Sequence, residues 1–299
     1  MGMLRWAGRA GITLVALGCV AIGGLYAQTQ WRITRPAAPP SRAAPVIKHD
    51  SATLSDGRRL IQANGCEDCH SANLGGQVMV DDPKLFRLVA SNLTTGTGGV
   101  LARYDDAALD AAIRDGVGWD GRKLVFMPSH EFAGMADDHL AAIIGNIRSR
   151  AAVSNVLPVV SIGPIGRGLL AAEKIVLLPY EKIDHARTTL AVAPTGGTVE
   201  QGRYLTAGCT GCHHADYAGG AIPGGPPGSP PSANITPGGR IGTWTEAQFI
   251  TALRSGTRPD GTKIDPAMPW RAFSALTDEE LQSMYRYLRT VPAKVTPAP

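Results

Sequence analysis

Four cysteines with adjacent histidines are the residues whose types and spacing point most directly to chemistry. They fall into two identical Cys-X-X-Cys-His patterns, Cys66, Cys69 and His70 and then Cys209, Cys212 and His213. Cysteines in a Cys-X-X-Cys pair serve as redox dithiols, as zinc ligands or, where a histidine follows directly, as covalent attachment sites for a c-type haem. The fifth cysteine, Cys19, lies in an apolar segment without such neighbours.

Covalent haem attachment explains the histidine in both patterns. On a helical turn the two thiols reach the two vinyl groups of one porphyrin, and the adjacent imidazole points at the iron. A thioredoxin-like dithiol needs a βαβ pattern, which the sequence lacks. A zinc site takes cysteine pairs from nearby positions, whereas these pairs lie in different halves of the chain. We therefore predict two covalently bound c haems, attached through Cys66, Cys69, Cys209 and Cys212, with iron ligands His70 and His213.

Other short motifs recur in step with the cysteine patterns. The corresponding segments, which keep a nearly constant offset along the chain, are Asn92-Leu93-Thr94 and Asn234-Ile235-Thr236, Arg114-Asp115-Gly116 and Arg254-Ser255-Gly256, Asp120-Gly121 and Asp260-Gly261, Met127-Pro128 and Met268-Pro269, and Phe132 and Phe273. A duplicated unit whose loops differ slightly in length accounts for these offsets.

The second axial position of each iron has a candidate at matched places in the two copies. Met127 follows His70, and Met268 follows His213, at nearly the same spacing. Methionine is a common second ligand in c haems, and the proline after each one favours an extended backbone. Core packing is the ordinary alternative for a methionine, but the repeat favours Met127 and Met268 as ligands. His130 is the alternative ligand in the first unit.

Short helices must position these motifs. Capping-box spacings at Thr198/Gln201, Thr245/Gln248 and Thr277/Glu280 precede apolar stripes, and strand-like alternation is nearly absent. We predict an all-α fold of two tandem units, each made of three or four short helices with long loops. Residues 219–239 contain 13 Gly or Pro among 21, and we expect this loop to wrap around a bound group.

The chain divides accordingly into six segments. We assign a signal anchor or signal peptide to residues 1–28, a Pro/Ala spacer to 29–50, the first haem unit to 51–152, an interdomain linker to 153–196, the second haem unit to 197–292 and a tail to 293–299. Apolar runs in the linker predict that it packs across both units.

The first segment has the pattern of an export signal. Arg5 and Arg9 precede an uncharged run over residues 10–27, and Trp31 and Arg32 follow it. The length of this run is near the minimum for crossing a bilayer, and the flanks are those of an interfacial anchor. We favour an uncleaved anchor over cleavage after Ala27 or lipidation at Cys19. All three interpretations place the bulk of the chain outside the cytoplasm.

The composition excludes other classes of protein. Hydrophobic residues make up 44% and charged residues 18%, which excludes global disorder. The net charge of +4 comes without a Lys/Arg cluster, so we expect no nucleic-acid partner. Aromatic residues make up only 6%, and we expect the porphyrins to serve as large flat apolar groups in the two cores.

At these residues the chain resembles diheme class I cytochromes c. The second unit is similar to the cytochrome subunits of membrane-bound bacterial dehydrogenases for alcohols, aldehydes and gluconate, in the segments Gly202-Arg203-Tyr204-Leu205, Cys209 to His213, Asn234-Ile235-Thr236-Pro237, Trp244-Thr245-Glu246, Arg254-Ser255-Gly256, Ala267-Met268-Pro269-Trp270 and Tyr287-Leu288-Arg289. The resemblance covers roughly residues 50–292. It implies thioether bonds at the four cysteines and His/Met ligation of both irons. The best-known subunits of this kind carry three haem motifs, whereas this chain has two.

These features predict a diheme electron carrier at the periplasmic face of a bacterial inner membrane, without a substrate site of its own. It would pass electrons from a dehydrogenase or a quinol-oxidising complex to an acceptor such as a terminal oxidase or a soluble cytochrome. The alternative is a diheme enzyme such as a peroxidase or a thiosulfate dehydrogenase. An enzyme of that kind needs one iron with an open sixth position, which the two Met-Pro pairs disfavour.

Overall fold

A computed structural model of the chain describes residues 2–38, 42–223, 225 and 228–296. Within this part the protein is mostly helical. The helices are α1 (Gly2–Thr34), α2 (Ser51–Ala63), α3 (Cys66–His70), α4 (Asp106–Asp110), α5 (Ser129–Phe132), α6 (Asp137–Ser149), α7 (Pro164–Ala171), α8 (Val199–Leu205), α9 (Thr210–His213), α10 (Glu246–Ser255), α11 (Trp270–Phe273) and α12 (Asp278–Leu288). The strands are β1 (Gln77–Asp82), β2 (Phe86–Ala90) and β3 (Ser161–Ile162). Part of the Gly/Pro-rich loop over 219–239 and the end of the tail lie outside the described residues.

Two helix pairs cross in the same way in the two repeats. In the first repeat α2 packs on α6, and in the second α8 packs on α12. A Cβ atom on Gly57 would lie 2.0 Å from the carbonyl oxygen of Ala142, and one on Gly202 would lie 1.9 Å from that of Ser283. Only a residue without a side chain permits such close contact between the backbones.

Each crossing is the centre of its own hydrophobic cluster. The first cluster includes Leu60, Ile61, Leu140, Ile143 and Ile144, and the second includes Phe249, Leu253, Leu281, Met284 and Leu288. The predicted capping boxes that precede α10 and α12 are both formed, at Thr245/Gln248 and Thr277/Glu280. Thr198 caps α8 by accepting a hydrogen bond from the backbone N–H of Gln201.

A small antiparallel sheet departs from the predicted all-α fold. Strands β1 and β2 form a hairpin, and β3 from the linker pairs with the other edge of β2. The strands of the hairpin are only five or six residues long, and β3 comes much later in the chain. A period-2 pattern this short carries little signal, and the pairing with β3 is nonlocal, so the sequence pattern did not predict the sheet.

The helix α1 is longer than the uncharged run that predicted it. It continues to Thr34, well into the segment assigned as a spacer. Within it, residues Gly11–Thr34 are long and apolar enough to cross a membrane, and none of the most apolar window is buried in the protein.

The linker contacts both repeats, although its apolar residues pack against the first one. Arg187 donates to a carboxylate oxygen of Asp115 in the first repeat, at 2.8 Å. Near the other end of the linker, the backbone N–H of Gly196 donates to the carboxylate of Glu279 in α12, at 3.0 Å. Leu170, Leu177 and Leu178 of the linker also form a third hydrophobic cluster with Leu88 of β2.

Candidate haem-binding sites

The two cysteine motifs adopt the same local structure. The first motif forms α3, which ends at His70; in the second motif Cys209 ends a 3-10 turn and directly precedes α9, which ends at His213. The next residue turns the chain sharply, because Ser71 has a φ of 67° and His214 a φ of 62°. The carbonyl oxygen of each histidine then accepts a backbone N–H, from Gly76 at 2.8 Å and from Gly219 at 3.2 Å. Backbone contacts therefore hold the reversal of the chain at each histidine.

Both motif histidines are buried and oriented by a backbone carbonyl. Nδ1 of His70 lies 2.8 Å from the carbonyl oxygen of Ser91, and Nδ1 of His213 lies 2.7 Å from that of Ala233. A carbonyl only accepts, so Nδ1 carries the proton and Nε2 keeps its lone pair. Burial lowers the pKa of both histidines, partly offset by these hydrogen bonds, which favours the neutral imidazole that binds metals.

The Asn-X-Thr motifs hold the accepting carbonyls in place. Oδ1 of Asn92 accepts from the backbone N–H of Thr94 at 3.0 Å and from its hydroxyl at 2.8 Å. The equivalent distances from Asn234 to Thr236 are 2.9 and 2.7 Å. The asparagine directly follows the residue whose carbonyl orients the histidine, in both repeats. These asparagines act on the histidine through the backbone.

In the sequence these asparagines mark the repeat, but the motif alone did not predict that they position the histidines. Their amide groups also donate to the backbone just beyond the end of each repeat, Asn92 to the carbonyl of Val153 at 2.7 Å and Asn234 to that of Lys294 at 2.8 Å. The signal was present in the sequence, because the spacing from the motif histidine to the asparagine is nearly the same in the two copies.

The four motif thiols are unpaired and unsuited to dithiol chemistry. Burial raises the pKa of both Cys66 and Cys209 to about 12, and it also raises the pKa of Cys69 and Cys212. Reactive dithiols depend on a thiol whose pKa is lowered by a helix N-terminus or a nearby cation. The surroundings of these cysteines therefore do not activate a thiolate.

The two candidate methionines lie in equivalent turns. Pro128 has backbone angles of −79° and 50°, and Pro269 has −78° and 51°. The carbonyl of each methionine accepts the backbone N–H of the residue after the proline, at 2.7 Å for Met127 and at 2.8 Å for Met268. Both methionines are half-buried.

The packing of the two methionines differs. Met268 and Cys209 both pack against the second hydrophobic cluster. In the first repeat Cys66 contacts the first cluster, but Met127 is not among the residues packed against it. Nδ1 of His130, shortly after Met127, is buried without a hydrogen-bond partner within the described part of the chain. His130 thus stays the alternative ligand there.

These donor sets fit a covalently attached haem. Each repeat offers two unpaired thiols, a neutral imidazole with a free Nε2 and a methionine on a separate turn. The thiols would hold the porphyrin, and the imidazole and thioether would bind its iron.

Helix α5 of the first repeat contacts the second cysteine motif. The carboxylate of Glu131 lies so close to Gly211 that a Cβ atom there would be 2.4 Å from Oε1. Other contacts join the two repeats, since the hydroxyl of Tyr204 accepts the backbone N–H of Ala136 at 3.1 Å, and Arg59 binds Glu280 at 2.7 Å. The segment after the first candidate methionine therefore packs against the second cysteine motif.

Comparison with known proteins agrees with this geometry. Residues 199–292 match the model of the cytochrome c family. The chain is 41% identical over 102 residues to the fructose dehydrogenase cytochrome subunit of Gluconobacter japonicus. It is 40% identical over 112 residues to the alcohol dehydrogenase (quinone) cytochrome c subunit of Komagataeibacter europaeus and 35% identical over 97 residues to the gluconate 2-dehydrogenase cytochrome c subunit of Pantoea cypripedii.

These alignments cover 31%, 34% and 30% of the chain but only 21%, 24% and 22% of the three relatives. The chain therefore matches between a fifth and a quarter of their length. Residues 199–292 are a cytochrome c domain, and the chain is similar through about a third of its length to the cytochrome c subunits of fructose, alcohol and gluconate dehydrogenases.

Proposed function

We propose that this protein is a diheme cytochrome c with two tandem haem domains, and that it carries electrons for a dehydrogenase. The observation that supports this most strongly is the same oriented histidine in both repeats, with Nδ1 on a carbonyl fixed by an Asn-X-Thr turn. If residues 199–292 were the only haem domain, this geometry would be needed in the second repeat alone, but the first repeat has it too.

The residues of the chain provide a rigid setting for one-electron transfer. A bound haem supplies the iron that is oxidised and reduced. Cys66, Cys69, Cys209 and Cys212 would hold the two porphyrins, and His70 and His213 would present Nε2 to the irons. Met127 and Met268 would occupy the remaining positions and exclude small ligands. Fixed axial ligands keep the geometry the same in both oxidation states, which suits a carrier and not an enzyme.

We infer a location at the periplasmic face of a bacterial inner membrane, with α1 as the anchor. The names of the relatives support a dehydrogenase as the electron donor. A terminal oxidase or a soluble cytochrome would then accept the electrons. The contact of α5 with the second cysteine motif supports direct transfer between the two haems, because it joins the sites within one chain.

Expression with a cytochrome c maturation system tests the proposal. The mass of the purified chain should exceed that of the polypeptide by two haems, and both should resist extraction by acid and organic solvent. A Cys209→Ala/Cys212→Ala variant should keep one haem, and Cys66→Ala/Cys69→Ala should keep the other. A wild-type chain with one haem or none would contradict the two-haem assignment.

A further inference from the structure

The C-terminal part of α1 is fastened to the folded protein by a buried arginine. Arg167 of α7 is only 8% exposed, and it donates to Oγ1 of Thr29 at 3.1 Å and to Oε1 of Gln30 at 2.8 Å. Its guanidinium also lies 4.0 Å from the ring centroid of Tyr26. This one side chain therefore contacts two successive turns of α1.

A charged cluster fixes the following turn of α1. Arg32 binds the carboxylate of Glu181 at 2.7 Å and donates to the carbonyl of Leu170 at 3.1 Å. Lys123 binds the same carboxylate at 2.8 Å and donates to the carbonyl of Arg32 at 3.1 Å. Ile33 also packs against the third hydrophobic cluster, which includes Leu170. The C-terminal end of α1 is thus packed against the folded protein and does not lead into a free spacer.

These contacts show how α7 runs relative to α1. Arg167 contacts α1 at Tyr26, Thr29 and Gln30, and Leu170 contacts it at Arg32. The residue later in α7 contacts the residue later in α1, so the two helices run in the same direction. The N-terminus of α7, two or three residues before Arg167, therefore lies on the side toward the membrane end of α1.

The turn of the β1–β2 hairpin contacts the N-terminus of α7 and therefore lies at the same position along α1. The backbone N–H of Ile165 donates to the carbonyl of Lys84 at 2.9 Å, and that of Gly163 donates to the carbonyl of Leu85 at 2.9 Å. A Cβ atom on Gly166 would lie 2.1 Å from the carbonyl oxygen of Leu85, so α7 and the turn are in backbone contact.

The level of these segments coincides with the end of the uncharged run of α1. That run ends at Ala27, and Tyr26 is an aromatic residue of the kind found at the boundary between hydrocarbon and headgroups. Four residues at the same level are exposed, namely Pro83, Lys84, Pro164 and Ile165. Ile165 is 51% exposed, although it is large and apolar. An exposed isoleucine beside an exposed lysine suits the headgroup region, where apolar side chains enter and ammonium groups meet phosphates.

We propose that the β1–β2 turn and the N-terminus of α7 form a membrane seat, defined as residues 82–85 and 163–167. The seat rests on the lipid headgroups, with Ile165 inserted and Lys84 facing the phosphates, and Arg167 fixes it to the anchor. The inference rests on the assignment of α1 as a membrane anchor in the proposed function. It adds that the anchor is retained and holds the first repeat in a fixed orientation, with the hairpin toward the bilayer.

Spin-label depth measurements on the holoprotein in phosphatidylglycerol-containing nanodiscs test this proposal. The labelled variants are Ile165→Cys, Leu17→Cys in the middle of α1 and Val199→Cys at the start of α8, each combined with Cys19→Ser, and the haems are kept ferrous. Val199 is a matched control because it is apolar and 45% exposed but belongs to the second repeat. The ratio of collision rates with oxygen and with a water-soluble nickel complex gives the depth.

We expect oxygen collisions to dominate for the labels at positions 17 and 165, and nickel collisions to dominate at position 199. A label at 165 as water-exposed as that at 199, with the label at 17 still in the bilayer, would overturn the membrane seat but leave the anchor intact. A water-exposed label at 17 would instead contradict the anchor in the proposed function. Adding Arg167→Ala should increase the mobility of the label at 165 without changing the depth at 17, and an unchanged mobility would exclude Arg167 as the fastening residue.

Discussion

At the scale of single residues, the neighbours of each candidate iron ligand determine its orientation and its surroundings. His70 and His213 are oriented by the backbone carbonyls of Ser91 and Ala233, each of which directly precedes the asparagine of an Asn-X-Thr turn. Such outer partners set the tautomer and basicity of a metal ligand. The two sites share this arrangement, but Met268 packs against a hydrophobic cluster, whereas Met127 is followed along the chain by His130, whose buried Nδ1 has no hydrogen-bond partner within the described part of the chain.

Replacing Met268 with Ala should affect one haem only. Since the surroundings of the two methionines differ, we expect the wild-type protein to show two resolvable midpoints in a redox titration. In Met268→Ala one midpoint should fall, because a ligand that favours the reduced iron is lost, and one iron should bind carbon monoxide. Optical titration and carbon monoxide difference spectra measure both effects. A simultaneous fall of both midpoints would contradict two independent sites.

The Asn-X-Thr turn supplies a second prediction at this scale. Asn234→Ala removes the hydrogen bonds to Thr236 and to the carbonyl of Lys294. We expect a loss of about 1–3 kcal/mol in the free energy of unfolding, since these backbone groups stay buried without a partner. The midpoint of the second haem should shift while that of the first stays fixed. Thr236→Val is the partial control, because it leaves the asparagine amide in place. An unshifted midpoint in Asn234→Ala would refute the positioning role of Asn234.

At the scale of secondary-structure elements, the glycines at the two helix crossings determine how close the helices come. Gly57 and Gly202 contact a carbonyl oxygen of the opposite helix at distances that exclude a side chain. The helices also carry the cysteine motifs at their C-terminal ends, since α2 leads into α3 and α8 leads toward α9. A change at the crossing is therefore expected to reach the cysteine motif.

Gly202→Ala should separate α8 from α12. We expect a loss of about 1–3 kcal/mol in the free energy of unfolding, because an added methyl group in a closed contact forces the backbones apart. Denaturant unfolding followed by circular dichroism measures the loss. Gly134→Ala is the matched control, since a Cβ atom there meets nothing within 4 Å and the substitution should change the free energy by less than about 0.5 kcal/mol. Equal effects of the two substitutions would contradict the crossing geometry.

At the scale of the whole molecule, a buried charge cluster joins the spacer, the first repeat and the start of α6. Arg114, which is fully buried, binds Asp110 at 2.7 Å and Asp137 at 2.6 Å, and Arg42 of the spacer binds Asp110 at 2.6 Å. Arg42 also pairs with Asp115. Burial opposes ionisation of Asp110, but hydrogen bonds from both arginines outweigh it and hold the pKa of Asp110 below its usual value.

The sign of this pKa shift predicts the response to acid. A carboxyl group whose pKa is lower in the folded state stabilises the protein above its unfolded pKa of about 4, and this stabilisation is lost as the pH falls through the folded value. Asp110→Asn should cost about 3–5 kcal/mol at pH 7, because it removes the buried carboxylate that pairs with the buried Arg114 and with Arg42. Its unfolding free energy should also fall less steeply than that of the wild type below about pH 4.

Denaturation midpoints across a pH series measure both effects. Glu200→Gln is the control, since the Glu200–Arg203 pair is exposed and contributes less than about 1 kcal/mol. Parallel pH profiles for Asp110→Asn and the wild type would show that Asp110 does not titrate as described.

The sequence by itself predicted the haem chemistry and revealed the repeated motifs. Local spacing carries this information: the cysteine motif defines one helical turn, the capping boxes before α10 and α12 define helix starts, and equal offsets reveal duplication. The motif and the caps depend on residues within one or two turns of each other, so a linear pattern is sufficient to predict them. The cytochrome c match of residues 199–292 agrees with that prediction.

Only the tertiary structure decided the contacts between distant segments. The pairing of β2 with β3, the carbonyls that orient His70 and His213 and the docking of Arg167 on α1 join residues that are distant along the chain. Carbonyl groups have no side-chain signature, and a strand of two residues has no measurable periodicity. Such contacts form because the buried backbone must satisfy its hydrogen bonds, and which partner is available depends on how the whole chain packs.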